Sequence, residues 1–112
     1  MDMDYQMNGW GIPEWLETEV RQRDRKCIYC RMPMFESPAA DGSRKSIATW
    51  EHIINDARTI TRENIARCCA PCNSSKGTKE LSIWIKSGYC RRRGIGRDTV
   101  ADVVKQALRD NA

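Results

Sequence analysis

The apolar positions change their period several times along the chain, and each change predicts an element. Trp15, Leu16, Glu19 and Val20 fall at helical spacing behind Pro13, which suits a first helical turn. Acids lead this segment and Arg21, Arg23 and Arg25 close it, as the helix dipole prefers, so a helix is expected up to about Asp24. Residues 46–54, SIATWEHII, are rich in β-branched and aromatic residues and predict a strand, with a second short strand over residues 64–69 and a polar loop between them. CNSSKGTKEL reads as the start of a helix interrupted at Gly77, and Leu81, Trp84 and Ile85 fit a further short helix ending near Gly88. Val100, Val103, Val104, Ala107 and Leu108 trace one apolar stripe, predicting a C-terminal amphipathic helix capped by Asp98 or Thr99. Residues 32–46, with Pro33, Pro38 and Gly42, read as a loop and as the most mobile part.

A chain of 112 residues leaves room for one domain, here taken as 13–112 behind a tail of residues 1–12. Its composition, 40% hydrophobic and 30% charged, is lean for building a core unaided, so an added staple is expected. No apolar run approaches the roughly 20 residues needed to span a bilayer, and Asp2 and Asp4 stand where an export signal would carry basic residues. The expected protein is cytosolic and free of membrane.

Six cysteines then change the picture. In a reducing compartment disulfides are disfavoured, and Cys27, Cys30, Cys69 and Cys72 form two CxxC pairs, the pattern of a zinc site. Cys68 and Cys90 are left over and read as small buried hydrophobes, and Trp84 reads as core. Charge is uneven as well. Residues 58–97 hold ten bases against Glu63 and Glu80, whereas residues 1–26 hold six acids against four bases. The basic half faces a polyanion, with DNA the expected partner and RNA a weaker one.

Between the CxxC pairs lie the sole histidine in Trp50-Glu51-His52-Ile53, then Asn64, then Cys72-Asn73-Ser74-Ser75-Lys76-Gly77. Asn73-Ser74-Ser75 also matches a glycosylation acceptor, which carries no weight without a secretory route. The ordered set, a CxxC, an acid-His pair and NxxxxCxxCNxxKG, resembles the HNH nuclease family with its ββα-metal motif, over roughly residues 25–80. The resemblance implies an α+β fold: a small single domain with a ββα-metal HNH core, flanking N- and C-terminal helices and a zinc staple held by four cysteines. It implies that His52 is the general base, that Glu51 and Asn73 bind a catalytic Mg²⁺ or Mn²⁺, and that Asn64 bonds backbone across the loop to hold the base strand.

By the same resemblance Cys27, Cys30, Cys69 and Cys72 bind a structural Zn²⁺, and the activity is DNA phosphodiester hydrolysis from the minor-groove side, leaving 5′-phosphate and 3′-hydroxyl ends. The residue types suit the chemistry. Hydrolysis needs a group to take a proton from water and a cation to offset charge on the phosphate; an imidazole serves as the first, and hard oxygen donors suit Mg²⁺. Lys76, one helical turn beyond Asn73, is expected to meet a phosphate, with Lys79, Arg91, Arg92 and Arg93 following the nucleic-acid backbone. Two features depart from the family pattern. Glu51 stands where Asp is usual, and neighbours on a strand point to opposite faces, so Glu51 and His52 serve one phosphate only at a strand end or distortion. The alternative is an inactive zinc-stapled nucleic-acid-binding module, or an adaptor in a larger DNA-processing assembly; a protein partner or a second copy is compatible with either.

Overall fold

The computed structural model describes residues 7–111; residues 1–6, which include Asp2 and Asp4, and residue 112 lie outside the described residues. The element order is α1 (Glu14–Arg23), β1 (Ala48–His52), β2 (Ile65–Cys69), α2 (Ala70–Lys76), α3 (Leu81–Trp84), α4 (Gly88–Arg93) and α5 (Asp102–Asp110). It is a small α+β protein built on one antiparallel hairpin. The register pairs Ala48 with Cys69, Trp50 with Arg67, Glu51 with Ala66 and His52 with Ile65, without a bulge.

Strand alternation divides this hairpin into two faces. Every residue of β2 is buried, so both faces are covered. On one side α1 lays Leu16 and Val20, with Ile12, against Ile65, and Trp50 packs at the margin. On the other, Ala66 and Cys68 join Tyr29, Trp84, Val104 and Leu108 in the larger core. Tyr29 and Trp84 meet edge-on with ring centroids 4.8 Å apart, a contact worth about 1 kcal/mol beyond area burial. Cys68 and Cys90 are fully buried, and Trp84 is 1% exposed.

Two local details differ from the expected pattern. The C-terminal helix begins at Asp102 behind Ala101, which offers no side-chain cap. Thr99 instead closes its own turn, its hydroxyl accepting from Gly96 N and donating to carbonyls of Gly94 and Gly96. Helix α4 is the second: Ser87 caps it by accepting from Cys90 N, and Gly94 ends it in the left-handed region at φ 69. Within the expected tail, Asn8 Oδ1 accepts from Trp10 N and Ile12 N, folding a turn that delivers Ile12 to the core.

The long loop 32–46 has no helix or strand, yet it is tied at both ends. Lys26 bridges to Pro33, and Phe35 lies parallel to Ile47. Glu36 carries its carboxylate to Arg21 and to Arg67, at 2.8 Å for Arg67 Nη2 to Oε1. Arg67 in turn lies 4.5 Å from the Trp50 ring centroid. Burial, and next the neighbouring Arg21, lower its pKa to about 10.

Candidate metal centre and hairpin site

At the Ala48–Cys69 end of the hairpin, the sulfurs of Cys27, Cys30, Cys69 and Cys72 all lie within 4.8 Å of one another. Cys30 and Cys69 are 3.7 Å apart, too far for a disulfide and close to the roughly 3.8 Å edge of a tetrahedron with ~2.3 Å Zn–S bonds. All six cysteines are free thiols. The four clustered ones could hold a metal ion such as zinc.

Local backbone builds this cluster. Cys27 N donates to Met32 O and Arg31 N to Cys27 O, curling the first CxxC into a tight turn. Arg31 takes φ 68 to complete it, at a cost of about 1–2 kcal/mol. The turn aims Tyr29 N and Cys30 N at Cys27 Sγ, at 3.4 and 3.5 Å, and Tyr89 OH donates to Cys72 Sγ at 3.3 Å. Donors around sulfur stabilise thiolate. The Cys27 thiol is lowered to about 7, its bond with Cys30 opposing and those with Cys69 and Cys72 driving the shift. Cys30 is lowered further, by Cys27, then Cys69 and Cys72. Hydrogen bonds with Cys27, and next with Cys30, push Cys69 and Cys72 in the opposite direction. A set of four thiols that do not ionise together without a cation is the electrostatic character of a thiolate metal site.

At the other end of the hairpin stands His52, the last residue of β1, directly opposite Ile65. Its Nε2 is buried and has no hydrogen-bond partner. Asn64 holds the turn that follows: its Oδ1 accepts from Ile54 N at 2.7 Å, and its Nδ2 donates to Ile54 O and Thr59 O. The loop 55–63 is therefore closed around one amide that is 4% exposed.

Helix α2 crosses β1 and grips it twice, one turn apart. Asn73 Nδ2 donates to Thr49 Oγ1 and Trp50 O, both at 2.9 Å. Lys76 Nζ lies 3.1 Å from Glu51 Oε2 and donates to His52 O at 3.3 Å. Lys76 is 1% exposed and Glu51 5%. Lys76, expected on the same helical face as Asn73 to meet a phosphate, has that helical spacing, but its long stem turns inward to the buried Glu51. Tyr29 OH donates to the same Glu51 oxygen at 2.6 Å. Burial, then the Glu51 charge, pushes the Tyr29 hydroxyl well above its ordinary pKa.

Glu51 and His52 thus lie on a regular strand, with Glu51 on the face packed by α2 and His52 in register with Trp50 on the other. His52 does occupy the strand end. Among the remaining basic residues, Lys79 is exposed and donates to Ser75 O. Arg91, Arg92 and Arg93 form the exposed last turn of α4, with Arg93 4.6 Å from the Tyr89 ring centroid. Tyr29 was not singled out by sequence reasoning; its place inside Cys27-Ile28-Tyr29-Cys30 is the signal that could have found it.

The chain is similar to a CRISPR-associated endonuclease Cas9 of Corynebacterium diphtheriae, 30% identical over 93 residues. The match covers 77% of this chain and 8% of that protein's length. No family model matches the chain. No solved structure matches it.

Proposed function

We propose that the chain is a metal-dependent nuclease domain of the HNH type that hydrolyses DNA phosphodiester bonds, with His52 as general base. The observation that carries this reading is the hairpin end itself: the only histidine, its Nε2 buried and unpartnered, ends β1 directly after Glu51, on the strand that Asn73 and Lys76 of α2 grip. Similarity to an endonuclease over most of this chain supports it.

In this reading the unpartnered imidazole takes a proton from water as it attacks phosphorus. Asn64 keeps the residues after His52 from shifting away from β2. Both bonds to Glu51 use Oε2, which leaves Oε1, and among the described residues Asn73 Oδ1 accepts no hydrogen bond. These two hard oxygens fit Mg²⁺ or Mn²⁺ as ligands. A divalent ion bound there would supply charge neutralisation at the phosphate. Lys79 and Arg91, Arg92 and Arg93 are solvent-facing and fit contacts along a nucleic-acid backbone. The thiolate cluster holds a structural Zn²⁺ and, with four sulfur ligands, has no open position for chemistry.

A second reading, a zinc-stapled DNA-binding module without activity, is favoured by one observation: Glu51 is buried and already paired with Lys76. Conversion of supercoiled plasmid to open-circle and linear forms separates the two. With Mg²⁺ or Mn²⁺ the zinc-loaded chain is expected to nick, and His52→Ala to lose about 10²-fold or more while keeping its zinc and melting temperature. Plasmid binding without cutting by the unmodified chain rejects the nuclease reading in favour of the module.

A further inference from the structure

We propose that Lys76 is an internal counter-cation that occupies Glu51 until a divalent ion displaces it, so that metal binding and Lys76 burial are mutually exclusive. The inference rests on the assignment of Glu51 as a metal ligand made above, and it concerns how that ligand is kept when no ion is bound.

A lysine that is 1% exposed is unusual, because a strongly hydrated ammonium gives up its water only for adequate partners. Here the partners are few. Lys76 Nζ meets Glu51 Oε2 at 3.1 Å and His52 O at 3.3 Å. The opposing carboxylate is also buried, and Tyr29 OH is its other donor. One positive and one negative charge therefore cancel in a packed, almost fully buried setting. A divalent cation at Glu51 Oε1 would sit beside the ammonium held at Oε2 of the same carboxylate. Two cations on one buried carboxylate repel each other strongly in a weakly screened interior, so one of them leaves.

The exit is built into α2. Lys76 is its last helical residue, Gly77 turns the chain at φ 52, and residues 77–80 are exposed. The flexible four-carbon stem needs only rotamer changes to carry the ammonium to water at that open end. Asn73, one turn earlier, keeps its own two bonds to β1 throughout, so the helix stays seated while Lys76 moves. Two consequences follow. Ion affinity in the absence of nucleic acid is reduced by competition with Lys76, and a positive charge is released beside the hairpin when the ion arrives.

The test uses the zinc-loaded chain and Mn²⁺ as probe, read by the electron paramagnetic resonance signal of free Mn²⁺ without DNA. Lys76→Met is expected to bind Mn²⁺ at least tenfold more tightly than the unmodified chain, and Lys76→Met/Glu51→Gln to lose that binding. In the unmodified chain, acetylation of Lys76, followed by peptide mass spectrometry, is expected to be blocked without Mn²⁺ and to rise at saturating Mn²⁺. Unchanged affinity in Lys76→Met, or a Lys76 that stays protected at saturating Mn²⁺, overturns the exchange; should Lys76→Met fail to fold, the acetylation result decides alone. If the unmodified chain nicks plasmid with Mn²⁺ while either overturning result is found, the exchange fails and the nuclease reading survives. If no variant binds Mn²⁺ and no plasmid is cut, the nuclease reading fails and the exchange falls with it.

Discussion

The two ends of one hairpin solve opposite problems. At the Ala48–Cys69 end, four sulfurs from two distant CxxC segments converge within 4.8 Å, where one metal ion could satisfy them all. At the His52–Ile65 end, polar groups are satisfied by one another: Asn64 by loop backbone, Asn73 by β1, Glu51 by Lys76 and Tyr29. Among the described residues there, the buried His52 Nε2 has no hydrogen-bond partner. The first end gathers thiols that a metal ion such as zinc could satisfy, whereas the second satisfies most of its polar groups from within the chain.

That comparison is broken most forcefully at the cysteine end. Removing the ion with a strong chelator, or replacing Cys72 with Ser, is expected to abolish the cooperative melting transition, because a structural zinc contributes on the order of 10 kcal/mol to a small domain. Far-UV circular dichroism against temperature, with zinc content measured in the same samples, checks it. An unchanged transition in verified metal-free protein would show that the hairpin stands without its staple.

The contrast also explains what could be read from the chain. Ligand spacing is a property of sequence, so Cys27, Cys30, Cys69 and Cys72 were legible, as were both strands and the helices around Leu16 and Val104. Partner choice is not. Lys76 lies on the expected face of α2, yet nothing local says that its stem turns toward a buried Glu51 instead of solvent. Tyr29 was hidden for the same reason, since its partner is 22 residues away. Helix α4 escaped because Gly88 and a run of arginines carry no apolar period, its Ser87 cap being the one available sign. Ala101 shows the converse, a helix start that carries no capping side chain.

A smaller effect is expected at the histidine end. Asn64→Ala removes three hydrogen bonds that close loop 55–63. At about 1 kcal/mol net per bond, the loss is about 3 kcal/mol. It should appear as a lower urea midpoint at unchanged slope, with faster amide exchange at Ile54 and Ile65 and with zinc still bound. Loss of zinc in Asn64→Ala would mean that the two ends are not separable.

The finest test lies where the ends touch, because Tyr29 belongs to the cysteine turn by sequence and to Glu51 by its hydroxyl. Tyr29→Phe keeps the ring against Trp84 and deletes one bond to a charged acceptor, costing about 2 kcal/mol at neutral pH. The sign of its pH dependence follows from the raised Tyr29 pKa, set first by burial and then by the Glu51 charge. The folded state keeps Tyr29 protonated while the unfolded chain ionises at about 10, so the stabilisation is complete below that value and is lost as pH rises above it. The advantage of the native tyrosine over phenylalanine should therefore shrink by about 1.4 kcal/mol for each pH unit above about 10. Cys68, raised by burial and then by Glu51, loses stability in the same direction but equally in both proteins, so it cancels from the difference. Urea melts of the pair at neutral and alkaline pH measure that difference directly. A gap that stays constant across the alkaline range would place Tyr29 outside the Glu51 cluster and leave the zinc end and the histidine end without this link.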